Sequence, residues 1–315
     1  MFCIYTIGLA KVLERSDMKF KLFADDTQLY MCISDIESTT EKLNRVLKSV
    51  KDWMDFKHLR LDENKSEFMI VGRKENIRNL GLMNMNINGN QVQTVEKVRD
   101  LGVLIDSNLT LNNQINNVVR ITSYHIRNIA FIKKYIDEDS VKRLIMNMVI
   151  SRIDYCNSIY HGLPKFQLKK LQKVLNRAAR LIKGSSSRER ITPVLIDLHW
   201  LPIKARIMFK ICVLCHQAIT TGSPSYLREE LQVIQPSEGI NTRNATNGVT
   251  LFIPRHNSCT GSRAFRAAAP RLYNSLPMEV RNLNNMKSFK NRLKTFLFSK
   301  CYDLENSTIS EDFAV

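Results

Sequence analysis

No run in this 315-residue chain approaches the roughly 18 apolar residues of a membrane-spanning helix, so none is expected. A basic stretch ahead of the apolar opening Met1–Ala10 is also missing, which argues against a secretory signal. The seven cysteines, Cys3, Cys32, Cys156, Cys212, Cys215, Cys259 and Cys301, are odd in number and irregularly spaced. That excludes a disulfide scaffold and points to a reduced, intracellular protein of nucleus or cytoplasm, not a secreted one. No internal repeat is present. Acidic residues are scarce in one part only. Residues 1–100 hold 16 Lys and Arg against 15 Asp and Glu, whereas the remaining 215 hold 31 against 15. Nearly all of the formal charge of +17 therefore sits in the second part. Within 165–220, 12 basic residues meet only Glu189 and Asp197. An excess so placed favours a polyanionic partner, nucleic acid before membrane.

The length allows two domains of ordinary size, each with its own core. Lys19–Tyr30 reads as two short strands about a turn, with Phe20, Leu22, Phe23 and Ala24 before Asp25-Asp26 and Thr27, Leu29 and Tyr30 after it. Leu43, Val46, Leu47, Val50, Trp53 and Met54 recur at three- and four-residue spacing, which predicts an amphipathic helix over 38–56. Phe68–Gly72 reads as a buried strand. Met83–Ile87 and Gln91–Val95 read as a hairpin whose turn, Asn88-Gly89, suits type I′, and Leu101–Ile105 as a further strand. Beyond Ser107 the period becomes helical, with helices expected near 111–135, 139–152, 165–183 and 203–219. Pro164 and Gly184 bracket the third of these as start and stop. Residues 221–262, rich in Gly, Ser, Asn and Thr, promise little beyond short strands. A basic helix follows near 286–300, then an acidic tail. Because the chain opens in an apolar stretch, an upstream part of its first core is expected to be absent.

Asp25 and Asp26 are the most informative pair. In a straight strand, neighbouring side chains point to opposite faces and could not serve one site. At the tip of a tight hairpin they can project together. Mg²⁺ prefers oxygen ligands, and a two-metal phosphoryl-transfer site needs at least one further carboxylate besides such a pair. An ordinary Asp-Asp turn is the plainer reading, but apolar residues on both sides make two adjacent like charges costly there.

Lys21-Leu22-Phe23-Ala24-Asp25-Asp26-Thr27-Gln28-Leu29-Tyr30 resembles the palm hairpin of non-LTR retrotransposon reverse transcriptases of the Jockey and chicken-repeat type. Phe2-Cys3-Ile4-Tyr5-Thr6 resembles the segment just ahead of it. Trp53-Met54 followed by Leu59-Arg60-Leu61-Asp62-Glu63-Asn64-Lys65-Ser66-Glu67-Phe68 is similar to the next palm motif, with Asp62 where Asn is usual and Ser66 where Thr is usual. Val98–Asp106 resembles the primer-grip hairpin. Looser likeness continues in Ile153–Asn157, Leu171–Arg180, Leu198–Pro202, Tyr273–Pro277 and Phe289–Thr295, and so spans roughly residues 1–300.

The resemblance implies an α+β fold. A partial polymerase palm over 1–106, with a helix on a small antiparallel sheet, would precede a mainly helical thumb-like region over 107–220. A C-terminal module over 221–302 and a tail over 303–315 would follow. It implies Asp25 and Asp26 as catalytic Mg²⁺ ligands, with an RNA template and DNA primer as partners. Lys65 would correspond to the motif lysine proposed to protonate the leaving pyrophosphate; read from its surroundings alone it is equally a solvated turn lysine. The family's first palm carboxylate, its template-positioning loop and its endonuclease would lie upstream of Met1. The chain is therefore expected to be an RNA-directed DNA polymerase fragment without activity by itself. The alternative is a non-catalytic basic nucleic-acid-binding protein of retrotransposon origin.

On the helix 165–183, Leu168, Leu171, Leu175, Ala178 and Ile182 form an apolar stripe. Lys169, Lys173, Arg177 and Arg180 are expected to line the opposite side, either merely solvated or tracking phosphates. Cys212-Val213-Leu214-Cys215-His216 fits the spacing of c-type haem attachment. The surrounding Ile207–Leu214 is apolar on nearly all sides, so core cysteines and no haem are expected. No second Cys/His pair follows to complete a zinc site.

Overall fold

The computed structural model describes residues 2–16, 18–33, 35–62, 65–80, 84–87, 90–234, 249–303, 308–309 and 313. The chain divides into two units, Met1–Thr110 and Leu111–Val315. Among the described residues no helix is long and apolar enough to cross a membrane.

In the first unit the apolar opening is a helix, α1 (Phe2–Glu14), which turns Leu9 and Leu13 inward. They bury against Leu43, Val46 and Val50 of α2 (Ile36–Phe56). Gly8 lies against Trp53; a Cβ there would come within 3.0 Å of Nε1, so the close approach of the two helices leaves little room for a side chain. The Asp35 carboxylate caps α2 by accepting from the Ser38 N–H at 3.0 Å. Between them runs the hairpin β1 (Lys19–Phe23) and β2 (Asp26–Tyr30), paired from Lys19↔Tyr30 to Phe23↔Asp26. Leu22, Phe20 and Leu29 lean on the small core.

After α2 come α3 (Lys74–Leu80), which the sequence did not announce, and two more hairpins. These are β3 (Asn84–Ile87) with β4 (Asn90–Gln93), and β5 (Lys97–Asp100) with β6 (Val103–Asp106). The type I′ turn expected at Asn88-Gly89 lies outside the described residues. Two expectations need correction. Phe68–Gly72 is no strand: Phe68 makes one isolated bridge to Thr94. The small antiparallel sheet expected here is three separate two-stranded hairpins, joined by side chains rather than by a shared ladder. Each strand is only four or five residues long, which limits the face available for a third partner.

The second unit is helical around one core that runs from Leu111 to Phe313. Helix α4 (Asn112–Ile132) packs along α7 (Lys165–Lys183), whose inner face buries nine residues, among them Gln167 and Gln172. That face is wider than the stripe legible in the sequence. Gln172 is used twice: its carbonyl accepts the Ile203 N–H at 2.9 Å, and its amide donates to Asn176 at 2.8 Å. The helix expected over 139–152 is interrupted. α5 (Glu138–Ile145) passes into a π-helical turn, Met146–Ile150, before α6 (Ser151–Asp154). Val149 and Ile150, at the end of that turn, are both buried.

α8 (Ile191–Asp197) leads to α9 (Ile203–Thr221), which buries ten of its 19 residues and so needs cover on several sides. α10 (Ser225–Glu229), α11 (Cys259–Arg263), α12 (Phe265–Asn274), α13 (Met278–Arg281) and α14 (Met286–Cys301) follow, and α10, α12 and α14 pack on α9. This is why no boundary appears at 220: the segment expected to form a separate module closes the core of the helices before it. A short hairpin, β7 (Tyr302–Asp303) with β8 (Thr308–Ile309), ends the unit, and the Tyr302 hydroxyl donates to the carbonyl of Trp200.

Candidate nucleic-acid interface

Ala24 and Asp25 form the two-residue loop of the first hairpin, and Asp26 opens β2 opposite Phe23. Such loops require positive φ at the first position, and Ala24 supplies it at 52°. A residue with a Cβ is strained there by about 1 kcal/mol. Asp25 and Asp26 are both exposed. Along a strand, alternate residues share a face, so Asp26 and Gln28 look the same way. The Gln28 amide donates to the carboxylate of Asp100, at the end of β5. Burial first, and the nearby charge of Asp26 second, hold the Asp100 carboxyl above its ordinary value.

The structure thus sets a further acid, Asp100, beside the hairpin, one that sequence reasoning did not single out. Its turn explains the omission. Leu101 and Gly102, with φ of 42° and 84°, are the loop between β5 and β6, not the start of a strand. The Asp-Leu-Gly at 100–102 was the available signal, a turn with its glycine at the second central position.

The repulsion between Asp26 and Asp100 is of the kind a divalent cation relieves. Among the described residues, however, no three His, Cys, Asp or Glu side chains gather as a cation cage requires. The acids present do not fit a two-metal site. Lys65 is 84% exposed and pairs with Asp62 at 3.1 Å, three residues back in its own turn. The structure brings it to Asp62, not to the hairpin tip.

Helix α7 carries seven basic residues and no acidic one. Lys169, Lys173 and Arg177, four residues apart, are exposed along one line of its outer face. Arg180 does not continue that line. It is half-buried, and its Nη2 donates to the carbonyl of Glu189 at 3.1 Å, tying down the loop that follows the helix. Lys183 is held by two acids, Glu138 at 2.6 Å and Asp197 at 2.9 Å, which push its pKa up. Lys170 is half-buried and donates to the Asn116 amide oxygen at 2.8 Å, which leaves for a partner the line of three and Lys165 in the first turn.

Cys212 and Cys215 are fully buried in α9, and burial pushes both thiols up, so neither is a ready thiolate. His216 stacks on Phe289 of α14, with ring centroids 3.7 Å apart and planes within 2°. Its Nδ1 lies 3.0 Å from the Tyr273 hydroxyl, which itself donates to the carbonyl of Arg281. The motif is a packing device of the core. No protein-family model, curated protein or solved structure matches the chain.

Proposed function

We propose that this chain derives from a reverse transcriptase of the non-LTR retrotransposon kind, and that by itself it binds an RNA–DNA hybrid without extending a primer. The observation that carries the ancestry is the decapeptide Lys21–Tyr30 folded as a tight hairpin with Ala24-Asp25 at its tip and Asp26 beside it. The line of Lys169, Lys173 and Arg177 supports the binding: the residues rise along a helix face that carries no compensating acid. Such a row follows a phosphate backbone and confers no base preference.

Binding is measured as hybrid affinity against salt. Each phosphate neutralised contributes about 0.9 to the slope for a B-form duplex, so changing all three residues to Ala lowers it by about 2–3. An unchanged slope would refute this interface. Primer extension on a homopolymer template with Mg²⁺ or Mn²⁺ is expected to give no product. Incorporation that Asp25→Ala abolishes would overturn the second half of the proposal. The incomplete acid cluster favours, as a second reading, a binding protein of the same origin in which the basic helical module alone holds nucleic acid and the hairpin acids take no part. Hybrid binding indifferent to Asp25→Asn supports that reading.

A further inference from the structure

A cavity of about 450 Å³ opens within the second unit, away from the α7 cations. That volume lies inside the range of small-molecule sites, about 300–1,000 Å³. Three lysines stand around it, Lys142 from α5, Lys210 from α9 and Lys294 from α14, all exposed. Its floor is apolar, lined by Trp200 and Phe209, with the exposed Met146 beside them. Asp154 is the acid in the wall, and Arg206 answers it at 2.8 Å; Lys142 also feels Asp197, so the surplus charge lies with Lys210 and Lys294. Arg206 is fixed further by donating through Nε to the carbonyl of Leu201 at 2.8 Å, and it lies 5.8 Å over the Trp200 ring.

Asn157 completes the wall. It is 4% exposed, and its amide nitrogen donates to Asp154 at 3.2 Å. Because a carboxylate only accepts, that bond sets which end of the amide is which. The Asn157 amide oxygen is left buried with no donor. That oxygen is enclosed by protein, so Asn157 serves to hold Asp154 and does not itself meet a ligand.

An apolar floor and surplus positive charge at the rim define a ligand: flat and anionic. We propose that this cavity binds a nucleotide, with its base against the floor and its phosphate among Lys142, Lys210 and Lys294. The same chemistry is presented by a free nucleoside phosphate and by an unpaired nucleotide of a single strand. The site is distinct from the duplex row on α7, although an unpaired end near a bound hybrid would suit both.

The test is calorimetric titration of the full chain with adenosine monophosphate, inorganic phosphate and a short single-stranded oligoadenylate. Saturable one-to-one binding of the monophosphate is expected, weakened about tenfold or more by Lys210→Glu with Lys294→Glu. Lys169→Glu with Lys173→Glu and Arg177→Glu should leave it unchanged. Oligoadenylate binding alone, with the same sensitivity to the pocket variant, supports the site and identifies the strand as its source. Binding of the monophosphate alone identifies the free nucleotide. The proposal fails if neither binds saturably, if the pocket variant binds like the wild type, or if inorganic phosphate binds as well as the nucleotide. Should the wild type bind the monophosphate but no hybrid, the proposed function falls and the cavity stands.

Discussion

Residues 1–110 and 111–315 differ in charge and in core. The first unit holds 16 basic and 16 acidic residues; the second holds 31 and 14, so the entire surplus of the chain belongs to the helical unit. The first keeps a core of six buried apolar residues under α1, α2 and the first hairpin. The second gathers buried residues from Leu111 to Phe313 into one cluster. Surface charge opposes compaction by self-repulsion, and the larger core is what lets the second unit carry it. The first unit has little to spare. Two denaturation transitions are therefore expected, the earlier belonging to residues 1–110.

Removing a fully buried ring should give the largest change. Phe289 touches both His216 and Tyr273, and Phe289→Ala should cost about 3–5 kcal/mol. In urea, the later transition should move while the earlier one stays. If both move together, the chain does not unfold as two units and the comparison fails.

Acid should separate the units next. Burial holds His216 below its ordinary value of 6.5, against a smaller opposing pull from the Leu283 backbone. Burial does the same to His161, helped by the charges of Arg271 and Arg263. Between the depressed and the ordinary value, the unfolded chain binds more protons. Stability from these groups is complete above pH 6.5 and declines as pH falls below it. Asp100, raised in the folded first unit, has the opposite sign: what it contributes is present in acid and lost as pH rises past its ordinary value. Lowering the pH from about 7 to about 5 should thus move the later urea transition downward more than the earlier one. His216→Gln should flatten that dependence.

A smaller effect comes from the helix caps. Asp35 caps α2 through Ser38, and Asn285 caps α14 through Lys287 and Ser288 at 2.9 and 3.1 Å. Each change to Ala should cost about 1 kcal/mol, read in the earlier transition for Asp35 and the later one for Asn285.

The two regions also differed in how far the sequence disclosed them. The helices α2, α7, α9 and α14 are legible because apolar residues recur at helical spacing, and Pro and Gly mark both ends of α7 and α9. The hairpin around Asp25 was legible from two apolar runs on either side of a polar pair. α1 was not read as a helix, since ten mostly apolar residues show no periodicity of their own. The break at Met146–Ile150 leaves no local mark, because the π turn is imposed by packing rather than by a Gly or Pro. The closing of α9 by α12 and α14 is a long-range fact that no local window carries. At the candidate sites the lysines of α7 were found from charge alone, whereas the withdrawal of Arg180 depends on the position of Glu189. The pocket lysines lie 68 and 84 residues apart in sequence, at 142, 210 and 294, and nothing in the chain order joins them.

The finest distinction concerns Asp26 and Asp100. Their closeness and the Gln28 amide on Asp100 link the first hairpin to the third. Asp26→Asn removes a charge from an exposed position without disturbing the β1–β2 ladder, because backbone groups make that ladder. The Asp100 carboxyl should then titrate lower, though still above its ordinary value, since burial is the larger cause and remains. Asp25→Asn, in the loop one residue away, should shift it less. Carboxyl chemical shifts followed against pH would resolve both. Equal shifts from the two variants would mean that the tip does not turn Asp26 alone toward β5. No shift from either would mean that the hairpins do not meet, and the acid found beside the tip would have no bearing on it.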